Sequence, residues 1–282
     1  MEAQKGLKDD GLALGVIQPY AEEKHRLLTY YANLFASSIR GKWDSLVYLD
    51  LYSGPGHAKI DGTNRIVATS PILVLELKNK FDRYIFCDSN PGNIAALTSR
   101  IAKQFSSLET RFVEGDINDK TDEVIKELPI PRRGHSVLGF CFLDPYKMNN
   151  LRFLTIRHLS QRYMDFLVLI PSGMDAKRAE QYYVQETNDT VALFLDNKKW
   201  REKWNEEKRR NKDFGDFIVE EFTNSMSSLG YRGTELVDTK PVKNEKNVIV
   251  YRLAFYSKDD LGMRLFRDSK KYSDPQMDMF NC

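Results

Sequence analysis

The most constraining feature of this sequence is a repeated pattern in which an apolar run ends near an aspartate and a helical segment follows. The runs are SLVYLDLYS (45–53), RYIFCDSN (83–90), TRFVEGDIND (110–119) and SVLGFCFLDPY (136–146). Strands that alternate with helices form parallel sheets that carry helices on both faces, connected by right-handed crossovers. The pattern therefore predicts an α/β fold with a doubly wound, mostly parallel, Rossmann-like sheet over residues 45–172.

The flanking segments complete the predicted organisation. Residues 1–17 are predicted to be a loose leader, and residues 54–69 a long polar loop. Apolar residues recur at helical spacing within 21–38, which predicts a helix there. An antiparallel strand pair is predicted near the C-terminus. The predicted division is a leader and helix (1–44), a core (45–172 and 214–268), a helical basic insertion after the fifth strand (173–213) and a polar tail (269–282).

Composition narrows the class of protein. A chain of 282 residues is long enough for one large domain, or one domain with an appendage. The polar start MEAQKGLKDDGLALG does not resemble a signal peptide, and no apolar run is long enough to span a bilayer. Cys87, Cys141 and Cys282 are far apart and form no CxxC pair, which predicts a reduced cytoplasmic protein without disulfides or a metal site.

The acids that end the strands predict a binding cleft. Ligands of open parallel sheets bind outside the carboxyl ends of the strands. Asp50, Asp88, Asp116 and Asp144 are all expected at that edge. A single acid in such a place could simply cap the next helix, but four in succession are typical of a binding site.

The glycine turn Gly54-Pro55-Gly56 narrows the choice of cofactor. Glycine allows a backbone to approach a ligand closely. A dinucleotide fingerprint would require a third glycine at position 59, where the sequence has Lys59, and a helix that starts at once, whereas the next helix signal is Ser70-Pro71. No Walker-type phosphate loop is present either. A nicotinamide dehydrogenase is therefore disfavoured, and a cofactor without phosphate is favoured.

S-adenosylmethionine fits these requirements, because it carries a sulfonium cation and no phosphate. Its amino-acid part needs a glycine turn, its ribose hydroxyls need a carboxylate such as Asp88, and its adenine needs a polar neighbour such as Asp116. The predicted cofactor-binding residues are Asp50, Tyr52, Ser53, Gly54, Gly56, Asp88, Ser89, Asn90, Asp116 and Ile117.

Several of these segments also resemble one protein family. YLDLYSGPG, SPILVLELKNKFDRYIFCDSNPGNIAAL, VEGDIND, FLDPY and VIVYRLAFYSKDDLG, with EEKHRLLTYYANLF before the first core strand, are similar to the three-Cys-motif partner proteins over roughly residues 20–265. The resemblance implies a class I methyltransferase fold, S-adenosylmethionine as cofactor and a neighbouring protein with a three-cysteine motif as partner. The family tends to have glycine after D-P-[FY], and this chain has Lys147 there.

The segment Asp144-Pro145-Tyr146 is also similar to the [DNS]-P-P-[YF] loop of methyltransferases that act on exocyclic amines. An aspartate and a proline carbonyl can accept the hydrogens of a base amine and orient its lone pair, and an aromatic ring can stack on the base. These three residues are therefore the predicted catalytic residues. The alternative is a turn without chemistry, since the segment has one proline instead of two.

The densest basic run is KKWREKWNEEKRRNK (198–212), with eight basic residues against three acids. It predicts either contact with an RNA or DNA backbone or a solvated helix whose tryptophans dock on the core. The residues predicted to contact substrate or nucleic acid are Lys147, Lys198, Lys199, Trp200, Arg209 and Arg210. On the leading helix, His25 is expected to be a surface residue, with proximity to the pocket as the alternative.

Two functions follow from these predictions. The first is an S-adenosylmethionine-dependent methyltransferase that acts on a nucleic-acid base together with a three-cysteine-motif partner. The alternative is a subunit that keeps the fold without doing chemistry and provides a nucleic-acid-binding or protein-binding surface.

Overall fold

The computed structural model describes residues 6–233 and 235–273. Within them, the strands are β1 Gly15–Ile17, β2 Ser45–Asp50, β3 His57–Ile60, β4 Ile66–Ala68, β5 Arg83–Asp88, β6 Thr110–Glu114, β7 Val137–Leu143, β8 Met164–Ile170, β9 Arg232–Gly233, β10 Lys240–Lys243 and β11 Ile249–Ser257. The helices are α1 Ala21–Ile39, α2 Ser70–Glu76, α3 Pro91–Gln104, α4 Ile117–Glu127, α5 Phe153–Leu159, α6 Met174–Arg178, α7 Glu180–Tyr183, α8 Thr190–Leu195, α9 Trp200–Arg209, α10 Phe214–Ser228 and α11 Asp260–Ser273. Short 3₁₀ turns occupy Met148–Asn150 and Leu236–Asp238.

The chain divides into two compact units. Of the described residues, the first comprises 6–142 and 264–273, and the second comprises 143–233 and 235–263. These boundaries do not coincide with the division expected from the sequence, which stays a prediction. Helix α11 runs to Ser273, past the start of the predicted tail, while Cys282 and the rest of that tail lie outside the described residues.

The first unit contains a parallel sheet in the order β7-β2-β5-β6. Its central strands are buried on both faces because helices cover them, which explains their almost continuous apolar sequence. Cys87 and Cys141 lie in β5 and β7 as buried residues, as predicted. Helix α1 adds Leu27, Leu28 and Phe35 to this core, also as predicted.

The segment expected to be a polar loop instead forms a second, smaller sheet. Strand β3 pairs antiparallel with β4, and β1 pairs parallel with β3. Two predictions are therefore wrong. Residues 57–68 form a hairpin, and the described part of the leader is held against that hairpin by strand pairing and by the hydrogen bond from Leu7 N to Ile66 O (2.8 Å). Residues 1–5 lie outside the described residues.

The second unit contains β8, β11 and β10 side by side, with β11 antiparallel to both neighbours. The predicted terminal antiparallel pair is thus present, although the segment expected to be its first strand is interrupted by the 3₁₀ turn Leu236–Asp238. The predicted insertion after β8 is helical and consists of α6 to α9.

The first unit has parallel strands with flanking helices, and the second has β8 with antiparallel partners. The protein accordingly has the predicted Rossmann-like α/β fold, with a mixed set of strands and flanking helices. Among the residues described, no helix has the length and the apolar character needed to cross a membrane.

Candidate cofactor site

The candidate site is the loop after β2, at the carboxyl edge of the parallel sheet in the first unit. Gly54 and Gly56 both have positive φ angles, +61° and +89°. A Cβ on Gly54 would meet no atom of the described residues within 4 Å, whereas one on Gly56 would lie 2.9 Å from Leu97 Cδ1 and 3.1 Å from Ile72 Cγ1. Gly56 is therefore needed for packing, and Gly54 borders open space where a ligand can approach the backbone.

Asp88, the last residue of β5, holds this loop in place. Its Oδ2 accepts a hydrogen bond from Gly54 N (2.8 Å), and its Oδ1 accepts from Asn90 N (2.9 Å) and Asn93 Nδ2 (3.0 Å). A carboxylate has about four acceptor positions, so these contacts leave Oδ2 with capacity for one further donor. Asp88 can thus bind a hydroxyl group while it fixes the glycine turn.

Asp50 ends β2 and is fully buried. Its Oδ2 accepts a hydrogen bond from the hydroxyl of Tyr48 (3.3 Å), and its Oδ1 accepts from Tyr52 N (3.4 Å). Burial of a carboxylate is costly unless hydrogen bonds compensate for the lost hydration. Here the donors are the residues two positions before and two positions after Asp50 in the sequence. The carboxylate therefore has a fixed position beneath the start of the loop.

Asp116 does not end a strand, because β6 stops at Glu114. It is instead the N-cap of α4, where its Oδ1 accepts from Asn118 N at 2.8 Å. Its side chain is exposed, whereas that of Ile117 is buried. Of this predicted pair, only Asp116 offers a side chain to a ligand.

The parallel ladder brings the ends of β2, β5 and β6 to one edge of the sheet, and the buried thiol of Cys87 belongs to the next-to-last residue of β5, the middle strand of the three. Burial is the main cause that raises the pKa of Cys87 to about 12, and the negative charges of Asp88, Asp116, Asp50 and Glu123 raise it further. The strand register agrees, since Asp50 pairs with Phe86 and Asp88 pairs with Glu114 in the parallel ladder. Asp50 and Asp88 thus end neighbouring strands, Asp116 follows the next strand, and their charges act together at this edge.

Three residues near the loop were not predicted from the sequence. Glu123 belongs to α4 and pairs with Lys120 (2.6 Å). Thr69 donates its N–H to Gly56 O (2.9 Å), and its buried Oγ1 has no hydrogen-bond partner among the described residues. His57 follows Gly56 directly, and its buried Nδ1 makes no hydrogen bond within the described part of the chain. The buried hydroxyl of Thr69, beside the glycine loop, could bond to a polar group of a ligand. The sequence Thr69-Ser70-Pro71 predicts only the start of a helix, so this residue could not be assigned to the site from the sequence.

The other predicted cofactor residues lie on the same two loops. Ser53 is buried and donates its N–H to Cys87 O (3.0 Å), which ties the glycine loop to β5. Ser89 and Asn90 are exposed, and the Asn90 side chain caps α3 by accepting from Gly92 N (2.9 Å). Tyr52 is half-buried.

The predicted acceptor residues belong to the second unit. Asp144 follows the last residue of β7 and is half-buried, and Pro145 is buried. The Tyr146 side chain is 86% exposed, and Lys147 Nζ lies 5.6 Å from the centroid of its ring. An aromatic ring this exposed is available for stacking on a planar group.

The basic insertion is less available to nucleic acid than its sequence indicates. Trp200 and Trp204 are buried, and the ring of Trp204 packs against those of Phe214 (4.9 Å) and Phe217 (5.2 Å). The predicted contact between Trp200 and nucleic acid is therefore wrong, because this side chain is part of the core. Several cations of the run are also paired with acids: Lys203 with Glu221, Lys208 with Glu180, Arg210 with Glu207, and Lys212 with Glu220. Lys198, Lys199 and Arg209 are exposed.

The expectation that His25 is a surface residue is also wrong. The residue is buried in α1, and desolvation, with a smaller effect of the Lys24 charge, lowers its pKa to about 3. A neutral buried imidazole contributes to the core of the first unit.

Comparison with known proteins gives similarity only at the level of the fold. No family model matches the sequence, and no curated protein matches it. Similar solved structures include an O-methyltransferase of Bacillus cereus in complex with SAH (12% identity, covering 87% of this chain and 84% of that chain, TM-score 0.45). Another is an O-methyltransferase of Streptomyces achromogenes, involved in tomaymycin synthesis, in complex with SAM (11% identity, 89% and 92%, TM-score 0.46). A third is a protein of Legionella pneumophila (10% identity, 88% and 91%, TM-score 0.48).

Proposed function

We propose that this protein is an S-adenosylmethionine-dependent methyltransferase whose cofactor lies on the glycine loop of the first unit. The observation that carries the proposal is geometric: Asp50 and Asp88 end neighbouring parallel strands and Asp116 follows the next one, while Asp88 is bonded to Gly54, whose Cβ position is open. A negative rim suits a sulfonium cation and disfavours a phosphate.

The residues of the loop have distinct roles in this proposal. The free capacity of Asp88 Oδ2 accepts a ribose hydroxyl, Asp116 faces the adenine, and the backbone of residues 52–54 receives the amino-acid part. Asp50 favours the cationic end through its buried charge. When bound, S-adenosylmethionine supplies an electrophilic methyl group on sulfur, and the protein contributes binding, orientation and the negative potential.

The acceptor we propose is the exocyclic amine of a nucleic-acid base. Asp144 and the carbonyl of Pro145 would accept its hydrogens, and Tyr146, which is exposed, would stack on the ring. Lys147, Lys198, Lys199 and Arg209 are the exposed cations available to an RNA or DNA backbone, and Arg210 would exchange its pairing with Glu207 for a phosphate. A three-cysteine-motif protein as partner, and a cytoplasmic location, follow from the resemblance and the cysteine usage and are part of the same proposal.

A second candidate function is a partner subunit without catalysis. It is favoured by the burial of both insertion tryptophans and by the ion pairs that neutralise much of the basic run. It is also favoured by Lys147, which stands where the resembling family tends to have glycine.

Calorimetry of cofactor binding tests the first part of the proposal. Wild-type protein should bind S-adenosylmethionine and S-adenosylhomocysteine, and Asp88→Ala should bind about 10- to 100-fold more weakly, because a hydrogen bond to a charged group contributes roughly 1.5–3 kcal/mol. Asp189→Asn, an exposed aspartate of the second unit, is the matched control and should bind like wild type. Wild-type protein that binds neither ligand would refute the cofactor assignment.

Transfer of labelled methyl groups tests the second part. Purified protein is incubated with labelled cofactor and total RNA, DNA or protein, with and without a three-cysteine-motif partner. Label in RNA or DNA that disappears in Asp144→Ala supports base methylation. Cofactor binding without label in any fraction supports the partner-subunit function, and label in protein alone refutes the nucleic-acid acceptor.

A further inference from the structure

One buried arginine connects the N-terminal segment to the glycine loop. The Arg100 side chain, on α3, is 1% exposed. Its Nε and Nη2 donate to the two carboxylate oxygens of Asp10 (2.8 and 2.7 Å). Its Nη1 donates to Ala13 O (2.9 Å) and to Pro55 O (2.6 Å). Pro55 is the central residue of the glycine turn.

Burying the Arg100 guanidinium has a free-energy cost that its hydrogen bonds must offset. Removing a guanidinium from water is costly unless the charge is paired and its donors are satisfied. Asp10 supplies a bidentate partner, the strongest geometry for arginine, and this contact is also the main cause that lowers the pKa of Asp10 to about 2. Nη1 donates to two backbone carbonyls, one of which belongs to the loop that we assign to the cofactor.

The loop needs an external restraint at this point. Pro55 stands between two glycines with positive φ angles, and glycine is the residue with the greatest backbone freedom. The hydrogen bond from Gly54 N to Asp88 holds one side of the turn, and the bond from Arg100 to Pro55 O holds the next residue. These two hydrogen bonds hold the backbone at Gly54 in one conformation before any ligand binds.

The N-terminal segment reinforces the same contact. Residues Gly15–Ile17 pair with β3, which starts immediately after the loop, and the Cβ position of Gly15 is 3.7 Å from the ring of Pro55. Asp10 also lies 3.6 Å from Nδ1 of His57. The segment is therefore packed along the loop and presents Asp10 to Arg100.

We infer that Arg100 and Asp10 are positioning residues for the glycine loop, and that they determine how tightly the protein binds the amino-acid part of its cofactor. This inference rests on the proposed function for its ligand. It extends that function by making the N-terminal segment, through Asp10, a component of the cofactor site.

Two measurements test the inference, and the first needs no ligand. Amide hydrogen exchange of the peptide that covers residues 51–57 should be at least about tenfold faster in Arg100→Met and in Asp10→Asn than in wild type, because the restraint on Pro55 is lost. The control is Arg83→Lys. Arg83 also joins a carboxylate, Glu109, to a backbone carbonyl, Glu127 O, but does not contact the loop. Unchanged exchange in both test variants would overturn the inference.

The second measurement compares two ligands by calorimetry. S-adenosylhomocysteine contains the amino-acid part, and adenosine lacks it. Both variants should bind S-adenosylhomocysteine about tenfold more weakly than wild type and adenosine equally well, since the affected hydrogen bonds act on one end of the site. Equal losses for both ligands, or no loss in folded variants with faster exchange, would overturn the inference. Wild-type protein that binds neither ligand would instead refute the proposed function. The exchange experiment would still decide whether Arg100 and Asp10 restrain the glycine loop.

Discussion

At the scale of single residues, the two glycines of the loop have different surroundings and should respond differently to the same substitution. Gly56→Ala would place a methyl group against Leu97 and Ile72 in a backbone conformation unfavourable for alanine, so we expect a loss of roughly 2–4 kcal/mol in the free energy of unfolding. Gly54→Ala has only the conformational cost of about 1 kcal/mol, because the space beside it is open. Urea denaturation of both variants measures the difference.

The same pair of variants separates packing from ligand binding. Gly54→Ala should remain folded and lose affinity for S-adenosylmethionine, because its new methyl group occupies the space assigned to the cofactor. If calorimetry gives Gly54→Ala the affinity of wild type, the ligand does not approach the loop at this residue.

The residues of the site were predictable to different degrees, for physical reasons. Asp50 and Asp88 could be placed because strand order forces the ends of parallel strands to one edge. Asp116 was expected to end a strand but caps helix α4 instead, because β6 stops two residues earlier, and sequence alone does not distinguish a helix cap from a ligand contact. The pairing of Arg100 with Asp10, 90 positions apart, has no local signal, because neither residue lies in a pattern that implies burial.

At the scale of elements, long strands were predictable and short ones were not. The runs that form β2, β5 and β7 are long enough for their apolar character to be unambiguous. The hairpin strands β3 and β4 have only four and three residues, and β3 contains an exposed lysine, Lys59. Strand β3 also pairs with β1, which is distant in the chain, so the local sequence of 57–68 does not distinguish these strands from a loop.

Helix α9 shows a limit of periodicity at the same scale. Trp200 and Trp204 share one helix face, but spacing alone does not tell whether that face meets the core or a ligand. Because the face meets the core, Trp204→Ala should destabilise the protein by roughly 3–5 kcal/mol through the cavity it leaves. Tyr182→Ala, at an aromatic residue that is 60% exposed, is the control and should change the free energy of unfolding by less than about 1 kcal/mol.

Measurements of nucleic-acid binding distinguish contact with RNA or DNA from a purely structural role of this segment. If the start of α9 binds RNA or DNA through the exposed lysines that precede it, Lys198→Ala together with Lys199→Ala should weaken binding and reduce its salt dependence. Trp204→Ala variants that remain folded but lose RNA binding selectively would contradict the assignment of the tryptophans to the core.

At the scale of the whole molecule, two buried ionisable groups affect stability in opposite directions. In the first unit, desolvation is the main cause that lowers the pKa of His25 to about 3, from 6.5. In the second unit, desolvation is the main cause that raises the pKa of Asp165 to about 7, from 3.8, against a hydrogen bond with Ser257 that lowers it. Each group lies in the core of its own unit, so each contributes its own dependence of stability on pH.

The signs follow from which state binds the proton. Between about pH 6.5 and pH 3, the unfolded chain protonates His25 and the folded protein does not, so this contribution to stability is lost as pH falls. Between about pH 4 and pH 7, the folded protein holds a proton on Asp165 that the unfolded chain releases, so this contribution is lost as pH rises. Over the shared range, the two slopes largely offset each other.

Substitution of either residue should therefore reveal the slope of the other. At 1.36 kcal/mol per pKa unit, between pH 5 and pH 8 His25 accounts for about 2 kcal/mol and Asp165 for about 3 kcal/mol. His25→Gln should therefore be about 3 kcal/mol less stable at pH 8 than at pH 5, since Asp165 alone then titrates. Asp165→Asn should be about 2 kcal/mol less stable at pH 5 than at pH 8, and the exposed-site control Asp189→Asn should follow wild type. Urea denaturation at the two pH values measures all four proteins, and parallel shifts in both core variants would show that neither group is buried as the structure places it.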